Sequence, residues 1–181
     1  MSMKLTTTSK TVILALSFNL VWVSLIATAN SNLYWLGPVI GIIAYAMILP
    51  KLHKAKMATP LFWTAVVGFG FDVLVHNLGI ITLHSNNFAL AWLMILWLVF
   101  VGVFYQLFNW LTNLNTVSSF FLGALGGLMA YYGASELGAA VINDLPAFIA
   151  LYGIFWGASF SIAAKIFVAR KLTQQRRSTQ P

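Results

Sequence analysis

Residues 61–83 read LFWTAVVGFGFDVLVHNLGIITL, an apolar run of membrane length with Asp72, His76 and Asn77 set into it. A transmembrane helix needs about 20 apolar residues to cross a hydrocarbon layer of roughly 30 Å. A carboxylate inside that layer is expensive and has to face other helices or a cavity. Pro60 suits the first turn of a helix, where its missing N–H is no loss, and Thr59 before it suits the cap. From Pro60, Asp72 lies about 18 Å along a helix rising 1.5 Å per residue, which is near the midplane. His76 follows one turn later on the same face. Gly68 and Gly70, just before Asp72, allow another helix to come close.

The rest of the chain fits a lipid solvent. Of its 181 residues, 60% are hydrophobic and 7% charged, against about 25% charged in soluble domains. The net charge of +7 comes from Lys and Arg at the chain ends and in one loop. That pattern matches headgroup anchoring and the cytoplasmic bias of basic loops, not nucleic-acid binding. There is no cysteine, which excludes disulfides, thiol nucleophiles and cysteine metal sites.

The apolar runs predict helices over 11–29, 33–49, 60–83, 88–111, 118–134 and 145–168, with a loose basic tail over 170–181. The expected fold is an all-α membrane protein, a six-transmembrane-helix bundle forming a single polytopic domain over 1–181. Pro50 and the loop Lys51, His53, Lys54, Lys56 end the second helix. Gly79 interrupts the third, and Asn143-Asp144-Leu145-Pro146 reads as a cap and first turn for the sixth. Threading from inside puts the basic residues on the cytoplasmic side, with Glu136 and Asp144 outside, so both termini are expected to be cytoplasmic. Lys4 and Lys10 before the first run, and Ala27-Thr28-Ala29 at its end, resemble a signal peptide. The length of the run, with Asn19 and Trp22 inside it, favours a retained helix.

Candidate residues fall into two sets. An intramembrane polar cluster would comprise Asp72, His76, Asn77, Asn19, Gln106 and Asn109. Asp72 with His76 suits a proton relay, a ligand-binding pair or an internal pair that fixes packing. Two ligands on one helix do not make a metal site, and His53 and His84 lie toward opposite ends, so no metal and no cofactor are expected. The packing set is Gly37, Gly41, Gly68, Gly123, Gly127, Gly153 and Gly157, at the small-residue spacing that brings helices together. Gly126, Ala130 and Ala134 extend a second ridge. Ser161 and Lys165 share the spacing of a Ser–Lys dyad, but snorkelling accounts for a lysine at a helix end. No catalytic residue is assigned: the chain has no P-loop, HExxH or dinucleotide fingerprint.

Three stretches carry a family resemblance. They are Gly68-Phe69-Gly70-Phe71-Asp72; Ala91-Trp92 with Leu96-Trp97 and Trp110-Leu111; and Leu122-Gly123-Ala124-Leu125-Gly126-Gly127 running to Ala130-Tyr131, Gly133-Ala134 and Leu137-Gly138-Ala139. Across nearly its whole length the chain resembles the bacterial inner-membrane family catalogued as domain of unknown function 2878. That resemblance implies a location and a fold, not an activity. Gly68 to Asp72 is also similar to a stretch in the rod-shape-determining membrane subunit and in the vitamin-capturing S subunits of energy-coupling-factor transporters. The first helix lacks the S subunits' Ala-x-x-x-Ala docking motif, since Ala15 is followed at that spacing by Asn19.

The expected function is therefore a multi-pass component of the bacterial cytoplasmic membrane, non-enzymatic and acting with partners in envelope or lipid processes. The alternatives are a small-solute transporter or substrate-binding subunit, and a membrane-embedded lipid-modifying enzyme. The lipid bilayer is the expected partner. Other membrane proteins or a small hydrophobic ligand are further candidates, and nucleic acid is not.

Overall fold

The computed structural model describes residues 7–84, 90–107 and 113–178, with side chains over 11–84, 90–107 and 113–166. Six helices carry the chain: α1 (Thr7–Ala29), α2 (Leu36–Lys54), α3 (Ala58–Asn77), α4 (Ala91–Leu107), α5 (Thr116–Glu136) and α6 (Leu145–Ser178). Two short strands, β1 (Ile81–Leu83) and β2 (Ala140–Ile142), follow α3 and α5. All the helices except α4 contain a stretch long and apolar enough to cross a membrane. Their outward faces carry large apolar side chains, including Leu20, Met47, Val67 and Met129. Apolar surface on this scale belongs against lipid, and the protein is membrane-embedded.

The chain divides into two compact units. Residues 1–107 and 134–143 form the first, in which α4 packs against α1, α2 and α3. Glycines set how closely these helices approach. A Cβ on Gly37 of α2 would fall 2.8 Å from the backbone of Leu25 in α1, and one on Gly41 would overlap Ile95 of α4. In the second unit, residues 108–133 and 144–181, α5 lies on α6 in the same way. A Cβ on Gly123 would come 2.6 Å from Phe160, one on Gly157 2.6 Å from the Phe120 ring, and one on Gly127 would overlap Trp156. Gly153 makes only ordinary contact, with Leu128 at 3.8 Å.

The expected third helix stops early. At Gly79 the backbone turns left-handed (φ 73°), and the Gly79 and Ile80 amides bond to the carbonyls of His76 and Val75 at 2.9 and 3.3 Å. This is a Schellman ending, where glycine avoids the steric cost of a positive φ. Gly138 (φ 78°) ends α5 identically, with Gly138 and Ala139 bonded to Ser135 and Ala134. Each helix thus exits through Leu-Gly into an extended apolar triplet, and the triplets pair antiparallel, with Thr82 opposite Val141. The pairing supplies partners to backbone groups that a membrane protein cannot leave bare in hydrocarbon. Apolar residues over 80–83 were open to either reading, because so short a run has no diagnostic period.

Other expectations are corrected. Pro50 does not end α2, which runs to Lys54. The actual stop is Lys56, itself left-handed (φ 55°), with Met57 bonded back to Leu52. Met57 and Leu52 are both buried, which supplies the apolar contact of this ending. Thr59 is not the cap of α3, since the helix begins at Ala58 with Met57 in the cap position and no side-chain cap bond. Asp144, by contrast, does cap α6 through the Ala147 amide at 3.0 Å. The tail expected to be loose from residue 170 continues α6 to Ser178.

The same substitution at two neighbouring glycines should separate the two faces of α5. Gly127→Leu forces a side chain into Trp156 and should lower stability by about 1–3 kcal/mol, as overpacking does. Gly126→Leu, where a Cβ meets nothing within 4 Å, should melt like the parent. Thermal unfolding of both variants in the same detergent checks the contrast.

Candidate functional site

Ala65, Gly68, Asp72 and Val75 form the buried face of α3, a stripe at the three- and four-residue spacing of one helix side. Asp72 is fully buried, at 0% exposure. Its Oδ2 accepts a hydrogen bond of 2.6 Å from Nε1 of Trp97 on α4. One turn earlier, a Cβ on Gly68 would lie 2.5 Å from Cε3 of the same indole. Glycine there lets the six-membered ring of Trp97 rest on the α3 backbone while its N–H reaches the carboxylate. Phe100 closes the other side, edge-on to Trp97 at 5.7 Å, and itself contacts Phe18 and Phe104. An indole is a pure donor and the carboxyl oxygen an acceptor, so the pair satisfies both without a second charge. In a poorly polarisable surround such a bond is strong, and either group alone would be costly.

Asp72 stands in the last third of α3 and not at its centre. The helix ends at Asn77, not residue 83, which moves the carboxyl to about 8 Å from that end at 1.5 Å per residue.

Of the five residues expected to join Asp72 in a cluster, four are described: His76, Asn77, Asn19 and Gln106. The recorded bonds of His76 go to β1: its Nδ1 lies 3.2 Å from the Ile81 carbonyl and 3.2 Å from the Leu83 amide. Asn77 is exposed at the helix end. Asn19 is exposed and donates to the Ala15 carbonyl of its own helix. Gln106 likewise donates within α4, to Gly102. Asn109, with Trp110, falls outside the described residues. Ser161 donates to the Thr116 carbonyl at 3.1 Å, and Lys165 is exposed, so the pair forms no dyad. Among the described residues no three metal-ligating side chains come together.

In the sequence Trp97 stands out only through the family resemblance, and the helix ends that bring it level with Asp72 come from the structure. Asp72 lies five residues before the end of α3 and Trp97 six after the start of α4. Measured from those two ends at 1.5 Å per residue, the groups lie about 8 and 9 Å into their helices.

The sequence profile of one family, described as "Protein of unknown function (DUF2878)", matches residues 11–162. The chain belongs to the DUF2878 family. No curated protein and no solved structure matches it. The matched span holds the whole Gly68–Asp72–Trp97 contact of this DUF2878 protein and stops short of the basic end of α6.

Substitutions at the contact should be coupled. Trp97→Phe keeps an aromatic ring but removes the donor to Asp72 Oδ2 and should cost about 2 kcal/mol; Asp72→Leu removes the acceptor of the Trp97 N–H at a similar cost. Asp72→Asn retains a carbonyl acceptor and should cost less than about 1 kcal/mol. The double variant Asp72→Leu/Trp97→Phe should be less unstable than the sum of its parts by about 1 kcal/mol or more. Equilibrium unfolding in micelles measures the cycle, and strict additivity would refute the pairing.

Proposed function

We propose that this DUF2878 protein is a non-enzymatic component of the bacterial cytoplasmic membrane that works with partner proteins in envelope or lipid processes. In this reading it crosses the bilayer six times with both termini in the cytoplasm. The observation that carries the proposal is the engagement of Asp72. A catalytic or transporting carboxylate has to meet a substrate, an ion or water. Asp72 instead has no solvent exposure and is bonded to Trp97 across Gly68, which is the placement of a group that specifies helix packing. The one-sided distribution of Lys and Arg supports the orientation.

Two measurements test the proposal. In a strain lacking the protein, Asp72→Asn should fold and restore the wild-type phenotype. An Asn variant that folds and fails to complement would point to transport or lipid chemistry at this carboxyl. Reporter fusions should read cytoplasmic after Lys56 and periplasmic at Asn143; the opposite pair would overturn the orientation.

A further inference from the structure

Along β1 the backbone groups alternate sides. The Ile80 carbonyl and the His84 amide bond across the ladder, to the Asn143 amide at 2.9 Å and the Ala139 carbonyl at 2.8 Å. The Ile81 carbonyl and the Leu83 amide point the other way, and both meet Nδ1 of His76 at 3.2 Å. The imidazole therefore occupies the free edge of β1, where a third strand would lie. One nitrogen cannot serve both groups at once. A bare Nδ1 accepts from the Leu83 amide; a protonated Nδ1 donates to the Ile81 carbonyl.

We propose that His76 is a proton-operated tether on β1. With neutral imidazole carrying its proton on Nε2, the tether holds the Leu83 amide. Uptake of a proton at Nδ1 breaks that bond and forms Nδ1–H to the Ile81 carbonyl, so the hold moves two residues back toward α3. The bond shifts away from the side of β1 that leads to α4, where the Trp92 indole donates to the His84 carbonyl at 3.0 Å. Imidazole is the ordinary side chain that changes charge between about pH 5 and 8.

Charged and titratable groups stand on the elements around His76. On α3, Asp72 is one turn away and bonded to Trp97. On α4 and α2, the elements packed against α3, Tyr105, Lys51, His53 and Lys54 lie toward the opposite ends, Tyr45 stands midway along α2, and Tyr34 precedes α2. Beside the ladder stand His84, just after β1, exposed Glu136 before β2, and Asp144, which caps α6.

Amide hydrogen exchange of the full chain in nanodiscs, expressed as protection factors, tests the tether. Between pH 8 and pH 5 the protection of Leu83 should fall about fivefold, the equivalent of one ordinary hydrogen bond. His84 and Asn143, bonded across the ladder, should keep theirs. In His76→Gln, whose amide does not titrate, the difference at Leu83 should vanish. Nitrogen-15 spectra of the imidazole should show a bare Nδ1 at pH 8. Equal Leu83 protection at both pH values, the same fall in His76→Gln, or a proton on Nδ1 at pH 8 would each overturn the proposal.

Discussion

The Trp97 indole donating to the Asp72 carboxyl joins α3 to α4 where both partners are sealed from solvent. Much of the first unit is arranged so that this bond can form. Gly68 removes the side chain that would hold the indole away, and Phe100 shields it from the other side. Helix α4 also receives α2, through the Gly41 contact with Ile95 and through Gly102 beneath Ile48 and Leu52, and α1, through Phe18 against Phe100. Lipid offers no hydrophobic drive for helices to associate, so close packing and a few polar bonds must do it. A polar bond inside this packing also fixes register, because sliding α4 by one residue would leave a carboxyl and an indole N–H without each other.

The same requirement explains the ends of α3 and α5. A helix finishing at a membrane face leaves carbonyls without partners. Both helices meet this with Leu-Gly endings, and the triplets that follow satisfy each other as β1 and β2. His76 occupies the edge of β1, and the Asn143 side chain bridges the Gly79 carbonyl and the Thr82 hydroxyl at 3.0 and 2.9 Å. Two residues that looked like candidates for chemistry or capping are thus occupied with β1 and the turn before it.

The helices were legible in the sequence because a hydrophobic run of membrane length has few other readings. The packing role of Gly127 and the burial of Asp72 followed from spacing and from the cost of a charge in lipid. What stayed hidden was the identity of partners. Asp72 and His76 share a helix face, and local spacing made them a pair. Tertiary structure turned one toward an indole 25 residues away and the other toward a strand. The strand itself was hidden, since the short stretch Ile80-Ile81-Thr82-Leu83 after Gly79 continues a helix and begins a ladder with equal ease. Pro50 misled for another reason: an interior proline removes one i→i−4 bond and can bend a helix without stopping it, and the chain turns only where Lys56 adopts a left-handed backbone.

The contact at the centre of this account can be observed at a single proton. With tryptophan nitrogen-15 labelled in the full chain, each indole N–H gives its own signal, and Trp97→Phe assigns the one of interest. Bonded to a buried carboxyl, the Trp97 N–H should exchange with deuterium far more slowly than that of exposed Trp63. Its signal should also shift on Asp72→Asn while the other indoles stay in place. A Trp97 N–H that exchanges as fast as Trp63, and does not respond to the change at Asp72, would contradict the account.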